Sequence, residues 1–314
     1  MSTRTKNSNK KKKKWLKWTL IISLLFVVGI GVYGFSIYRS LTSATDQMHQ
    51  SIDRDGSDKR AEEVQFEEKD PFSVLLLGID RDENGTGRSD TMMVMTVNPQ
   101  EETTKILSIP RDTYTEMIGA GYGYDDKINH AYAFGGVPMA MDTVENLLDI
   151  PIDYFVEVSM EGFEELVDAV DGVTINNNFS FESGGHSFPE GELSLSGDEA
   201  LAFTRMRYED PNGDFGRQER QRQVMEAFIQ EGASVNSLWN FGNIFDALGN
   251  NIKTNLSLDQ MVDIQREYRA AASSLEQSTI ENGSGQMIDG IYYYVVPDEE
   301  ISKIQSSLKD HLNL

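Results

Sequence analysis

The sequence predicts an α/β domain, an α-β-α sandwich with a central mixed sheet flanked by helices, preceded by one transmembrane helix. Three observations predict it. Short apolar runs of strand length alternate with amphipathic stretches of helical period from Phe72 onward. Roughly 240 residues follow Phe72 without a second linker, the size of one α/β domain. Near the N-terminus, Trp18 to Tyr38 contains no charged residue.

That uncharged span is 21 positions long. At about 1.5 Å of rise per residue it reaches roughly 30 Å, a hydrocarbon core. Arg4, Lys6, Lys10 to Lys14 and Lys17 precede it, and no Asp or Glu comes before Asp46. Basic flanks stay in the cytoplasm. The expected layout is a basic tail at 1–17, a signal-anchor helix at 18–38, a polar extracellular stem at 39–70 and an extracellular domain at 71–314. The expectation is a single-pass type II membrane protein with its domain outside the cell. A cleaved signal peptide fits less well: its apolar stretch is about 7–15 residues, and Ser43-Ala44 is a poor cleavage site.

The formal net charge of −23 is unevenly spread. Residues 1–38 hold eight of the 28 Lys and Arg and none of the 51 Asp and Glu, which leaves the remainder at −31. Such a surface excludes general binding of nucleic acid or other polyanions. An anionic substrate needs a local basic site, so clustered arginines are informative here. There is no cysteine, and an exported domain of this size therefore stands on its core.

The elements follow in order. Phe72–Ile79 is a continuous apolar run, a strand buried on both faces. Thr91–Val97 and Lys105–Ile109 read as two more. Gly136–Leu148 is helical, with Met139, Val144, Leu147 and Leu148 as its stripe. Ile152–Val158 is a strand, Glu161–Val170 a helix stopped by Asp171-Gly172, and Val173–Asn176 a strand. Asn177–Glu192, rich in Asn, Ser and Gly, reads as a loop. Gly197–Thr204 is helical, Arg205–Tyr208 extended, and Arg217–Gln230 a long helix. Leu258–Ala271 is a further helix, Gly290–Val296 a late strand, and a terminal helix starts at Glu299.

Three segments carry chemistry. Asp80 follows the C-terminal end of the first strand, and Arg88 and Asp90 lead into the second. Ligands of open α/β sheets gather at that edge. Two carboxylates delivered there, Asp80 and Asp90, can hold Mg²⁺ (Mn²⁺ is the alternative), which takes one or two carboxylates and fills its shell with water and phosphate oxygens. The bland alternative is a solvated Asp–Arg pair. The second segment, Ser108-Ile109-Pro110-Arg111-Asp112, ends the third strand, and Lys127 opens the next helical stretch. In the third, Arg205, Arg207, Arg217, Arg220 and Arg222 fall within 18 residues of an otherwise acidic domain. At 100° per residue, Arg217, Arg220 and Gln221 share an arc that Val224 and Phe228 continue inward. Arg222 points elsewhere, toward the surface. Guanidinium forks match phosphate bidentately and keep their charge, so the three segments together point to a pyrophosphate or phosphodiester site. The competing reading is a structural ion-pair network. A phosphate-cradling GxxxxGK[ST] loop and an HExxH motif are absent from the sequence, and Ser89 has no evident His partner.

In this order behind one signal-anchor, these segments resemble the LytR-CpsA-Psr family. The resemblance rests on Asp80 with Arg88-Ser-Asp90, Ile-Pro-Arg111-Asp112, Lys127-Ile-Asn, Arg205-Met-Arg207, and Asp214-x-x-Arg217-x-x-Arg220-Gln221. It implies transfer of an anionic glycopolymer from a polyprenyl-pyrophosphate carrier to a peptidoglycan sugar hydroxyl, forming a phosphodiester. In the teichoic acid transferases of the family the polymer is wall teichoic acid, and the polyprenyl chain lies in an apolar tunnel between sheet and helices. Carried onto this chain, the resemblance implies that Asp80 and Asp90 hold Mg²⁺. Arg88, Arg111, Arg205, Arg207, Arg217 and Arg220 then clamp the pyrophosphate, assisted by Lys127 and Gln221, and Asp90 or Asp112 takes the hydroxyl proton. Two other readings stand beside it: a Mg²⁺-dependent polyprenyl-pyrophosphate hydrolase, and a non-catalytic membrane-bound regulator. No helix-turn-helix is legible for direct gene control.

Overall fold

The computed structural model describes residues 42, 45, 47–52, 54, 56–81, 87–119, 121–207, 209–232 and 251–314. The expected tail and anchor at 1–38 lie outside these residues. Among the described residues no helix is long and apolar enough to cross a membrane.

The chain runs β1 (Phe72–Arg81), β2 (Gly87–Asn98), β3 (Thr103–Ser108), β4 (Tyr114–Glu116), β5 (Asp125–Lys127) and α1 (His130–Leu148). Next come β6 (Tyr154–Ser159), α2 (Met160–Ala169), β7 (Val173–Asn177), β8 (Phe181–Ser183), β9 (His186–Phe188), β10 (Gly191–Leu195), α3 (Gly197–Arg205) and α4 (Asp214–Gly232). The last part holds β11 (Ile252–Thr254), α5 (Leu258–Glu267), β12 (Leu275–Thr279), β13 (Ser284–Ile288), β14 (Ile291–Val295) and α6 (Asp298–Leu312).

Six strands form the central sheet in the order β11-β6-β1-β2-β3-β12. It is mixed: β1 pairs antiparallel with β2 and parallel with β6, and β12 runs parallel to β3. The apolar run of β1 is central and covered on both faces, as its composition requires. Leu75, Leu77 and Ile79 pack with Met92, Val94 and Leu107 against α1 and α6, which contribute Met141, Val144, Leu148, Leu308 and Leu312. The alternate residues face the other way, and their surroundings change along the strand. Phe72 and Val74 are sealed under Phe66, Tyr154 and Tyr268. Leu76 and Gly78 wall a cavity, and Asp80 is exposed. One face of one strand thus runs from closed core through cavity wall to open edge.

Several boundaries differ from the sequence reading for identifiable reasons. The helix expected from Gly136 begins at His130, because Gly136 (φ 64°, ψ −153°) kinks an element already under way. The stretch 177–192 is no plain loop: β8 and β9 form a hairpin whose Phe181 and Phe188 are buried against Phe203. Strands of three residues are too short for alternation to show. The edge strands β11 and β12 were hidden likewise, one by its length and one by its polar sequence Leu-Glu-Gln-Ser-Thr.

The expected stem makes contacts that its composition did not announce. Its described residues among 47–52, 54 and 56–70 pack on the domain at several points. Arg54 donates to Asp142 (2.8 Å) and to the Ile152 carbonyl (2.8 Å) and pairs with Glu145 at 2.5 Å. Arg60 pairs with Asp153 at 2.7 Å. Phe66, 5% exposed, meets the rings of Phe72, Tyr154 and Tyr268 at 5.3–5.7 Å. Low average hydropathy masked a few well-placed anchors. Phe66→Ala is expected to destabilise the domain by about 3–5 kcal/mol, the usual cost of an emptied aromatic site. Chemical denaturation of the full chain checks it; a free spacer would lose under 0.5 kcal/mol, as surface positions do.

Candidate active site

The site lies where β1, β2 and β3 end under the first turns of α4. The β1–β2 ladder is regular to Gly78, which pairs with Thr91; the next pair is Ile79 with Ser89. Asp90 is therefore the extra residue of a β-bulge, a device that re-aims a side chain at a sheet edge. Gly78 is needed opposite it, since an added Cβ would lie 2.9 Å from Thr91 Cβ. The re-aimed Asp90 accepts a hydrogen bond from Arg111 Nη1 at 2.6 Å. Arg111 Nε lies 3.9 Å from Asp112, whose other oxygen accepts from Lys127 Nζ at 2.7 Å.

From the helical side come Asp214, Arg217, Gln218 and Gln221, spaced i, i+3, i+4 and i+7 on one face of α4. Arg217 Nη2 lies 2.7 Å from Asp214 Oδ1, and Arg207 Nε 3.8 Å from the same oxygen. Gln218 accepts from Thr279 Oγ1 at 2.9 Å, and Gln221 donates to Thr91 Oγ1 at 2.9 Å, locking helix to sheet. With Ser108 and Ile109, these groups from Asp90, Arg111 and α4 enclose a small polar cleft. Burial pushes the Arg217 guanidinium below its ordinary value, against the pull of Asp214, with Arg111 adding repulsion. Arg111 moves the other way: burial opposes its charge, but Asp90, Asp214 and Asp112 outweigh it.

The cleft contains unsatisfied groups. Ser108 Oγ, Arg111 Nε and Arg217 Nε are buried without a hydrogen-bond partner. Buried polar atoms are nearly always paired. Three such atoms at one strand end and helix turn, two of them guanidinium donors, mark a place for an oxygen-rich ligand. The cleft opens beside a second space, an apolar cavity of about 290 Å³. Leu76, Met93, Val156, Val158, Val224 and Phe228 wall it, and Thr91, Arg205 and Gln221 sit at its polar end. Thr91 and Gln221 belong to both spaces.

Most of the residues singled out in the sequence meet here. Asp80 and Arg88 are exposed and sit opposite each other across the β1–β2 ladder, two residues from the bulge. Among the described residues Asp80 has no side-chain partner, and it stands on the strand next to Asp90, which is paired with Arg111. Among the described residues no group of three or more His, Cys, Asp or Glu could hold a metal alone. The donor set present suits a hard cation that takes only one or two carboxylates and completes its shell from phosphate and water.

Two arginines are placed differently from the sequence reading. Arg220, expected at the pyrophosphate, is 4% exposed and turned away. Its Nε donates to the Phe203 carbonyl at 3.0 Å, its other nitrogens bind the Met206 carbonyl and Asp210, and its plane lies over Phe181 and Phe203. It caps the C-terminal carbonyls of α3, where a cation is favoured. The 300° from Arg217 to Arg220 put it at the edge of the arc, and its long stem reaches the neighbouring helix instead. Arg220 is a positioning residue, because the chain it fixes carries Arg205 and Arg207. Arg222, expected at the surface, is half-buried, with Nε and Nη1 unpartnered. Gln218 and Ser108 were missed as cleft residues; the α4 spacing from Asp214 was the signal for Gln218.

A polar cleft with unpaired guanidinium donors, beside an apolar cavity, has the two surfaces that an amphiphilic anion needs. Comparisons with known proteins give the family. The chain belongs to the LytR_cpsA_psr family, whose model matches residues 35–310. It is 49% identical over 308 residues to the polyisoprenyl-teichoic acid–peptidoglycan teichoic acid transferase TagU of Bacillus subtilis strain 168, covering 98% of this chain and 99% of that one. The crystal structure of B. subtilis TagU superposes with a TM-score of 0.63 at 51% identity, over 78% of this chain and 97% of that one. TagT bound to LIIa-WTA gives 0.73 at 34% identity, over 85% and 100%.

Proposed function

We propose that this chain transfers wall teichoic acid, or a closely related anionic glycopolymer, from a polyprenyl-pyrophosphate carrier to a hydroxyl of peptidoglycan. The observation that carries the reading is the cluster of orphaned donors of Arg111 and Arg217 beside an apolar cavity. Pyrophosphate oxygens satisfy the donors, and the hydrocarbon chain fills the cavity. The names of the relatives point to the same polymer and acceptor.

The acceptor hydroxyl oxygen attacks the phosphorus that bears the polymer. A new P–O bond forms, the bond to the bridging oxygen breaks, and polyprenyl phosphate leaves with that electron pair. The hydroxyl proton passes to a carboxylate of the mouth, and Asp90 and Asp112 are the two that Arg111 holds there. Arg111, Arg217, Arg205 and Arg207 neutralise the charge that grows on the leaving phosphate, which is most of what phosphoryl transfer asks of a protein. Asp80 and Asp90 are the residues that would hold Mg²⁺, which would supply further charge neutralisation at the phosphate oxygens. A signal-anchor at 18–38 keeps the domain at the outer face of the cell membrane. Confinement there with a membrane-borne donor raises effective concentration.

The test is transfer by the full chain in detergent, with a short lipid-linked donor and uncrosslinked glycan. Addition of a Mg²⁺ chelator is expected to lower the rate at least about 10²-fold, and added Mg²⁺ restores it, as for other charge-stabilising groups. A rate indifferent to the chelator removes the metal from the account. Release of polymer phosphate without glycan attachment favours the hydrolase.

A further inference from the structure

From the Arg111–Asp112 pair at the polar cleft, a chain of ring and polar contacts runs through the buried Tyr293 to two exposed rings. Lys127 Nζ, paired with Asp112, lies 5.9 Å from the centre of the Tyr293 ring. Tyr293 packs edge-on against Tyr114 at 4.8 Å and donates to Asp126 Oδ1 at 3.3 Å. The other Asp126 oxygen binds His130 Nδ1 at 2.8 Å. His130 lies 5.5 Å from Phe134, which stacks on Tyr122 at 5.3 Å and 11°, and Tyr122 leads to Tyr124 at 5.6 Å. At the far end the rings are open: Tyr124 is 49% exposed and Phe134 42%. Contiguous exposed aromatic surface beside a polar cleft marks a ligand site rather than ordinary surface.

The direction of the path decides the ligand. Phosphoryl displacement is in line, so the attacking hydroxyl enters opposite the leaving group. The cavity for the leaving hydrocarbon joins the cleft at Thr91 and Gln221, whereas Asp112 and Lys127 lie beyond Arg111 and line neither space. We infer that the open end of this path, Phe134, Tyr122 and Tyr124, is the binding site for the acceptor, a β-1,4-linked N-acetylhexosamine chain of peptidoglycan. The inference rests on the transferase reading and deepens it. Such a glycan presents apolar ring faces for stacking and hydroxyls and amides at its edges. The patch supplies the complement, flat rings bordered by Asp125 and Asp126, with Tyr114 bonded to Asp125. The uncharged rings at its far end also suit a partner less anionic than the donor.

The probe is an uncrosslinked oligosaccharide of alternating N-acetylglucosamine and N-acetylmuramic acid, titrated into the full chain in detergent. Tyr124→Ala and Phe134→Ala are compared singly and together with the unsubstituted chain; both side chains are surface-exposed, and Tyr124→Trp keeps a stacking ring. The double variant is expected to bind the glycan at least tenfold more weakly, with the acceptor KM rising in step. Tyr124→Trp is expected to retain affinity, and affinity for the lipid-linked donor is expected to stay within twofold. Equal glycan affinity in the unsubstituted chain and the double variant overturns the inference, as does absence of glycan binding. Loss of donor affinity instead overturns it by assigning the rings to the donor's own sugars. If glycan binds and the rings matter but no polymer is ever transferred, the transferase reading falls while the site stands.

Discussion

Arg217→Ala is expected to lower kcat/KM for transfer by about 10³-fold, the scale of a lost guanidinium at a phosphoryl group. The residue emerges from the first turn of α4, 12% exposed at its side chain, with Nε buried and unpartnered. Its charge is held at a cost, because burial and the nearby Arg111 both push its pKa down. A cation whose folded-state pKa lies below its unfolded value destabilises the folded state wherever it is charged, which here includes neutral pH. The alanine variant is therefore expected to unfold at the same temperature as the parent or slightly above it. Loss of function with retained or improved stability is the signature of a strained binding group. Arg217→Lys keeps the charge but not the planar fork, and is expected to lose at least about tenfold. Steady-state kinetics with thermal melting of each variant checks all three expectations.

Arg220→Ala, three positions along the same helix, is expected to do the reverse. The side chain is buried with Asp210 and holds two carbonyls at the end of α3. Removing it leaves a carboxylate without its cation and a helix end without its cap, at about 3–5 kcal/mol. For a domain of this size that lowers the melting temperature by about 10 °C. Asp210→Asn added to Arg220→Ala is expected to recover part of the loss, since the orphaned charge goes with it. Calorimetry decides. A melting temperature within 2 °C of the parent, a shift worth only about 0.5–1 kcal/mol, would mean that Arg220 belongs to the ligand after all.

The contrast between these two arginines shows what the sequence could reveal. Residue type and spacing brought Arg217, Gln221 and Asp90 to one place, because strand ends and a helical face are periodic and the arginines stood out from an acidic background. The same spacing put Arg220 beside them wrongly. A long side chain at the edge of an arc can reach either neighbour, and the choice depends on the carbonyls of Phe203 and Met206, which only the folded chain brings near. The bulge at Asp90 was likewise illegible, because it is set by the register between two strands and not by either one. The long central strands were legible from their apolar runs. The hairpin around Phe181 and Phe188, and Phe66 in the stem, were not, since each buries one or two rings within polar surroundings. The aromatic face beyond Lys127 draws on β4, β5, α1, β14 and the segments between them, so its continuity has no trace in any local pattern.

The central claim is that polymer passes to a sugar hydroxyl through the phosphorus it already carries. It is tested most directly with a lipid-linked donor bearing ³²P in the phosphate next to the polymer, incubated with the full chain and uncrosslinked glycan. The account predicts label in the glycan fraction, resistant to phosphomonoesterase, with unlabelled polyprenyl monophosphate as co-product. Label recovered instead in a soluble polymer phosphate that phosphomonoesterase removes, with none in the glycan, would contradict it.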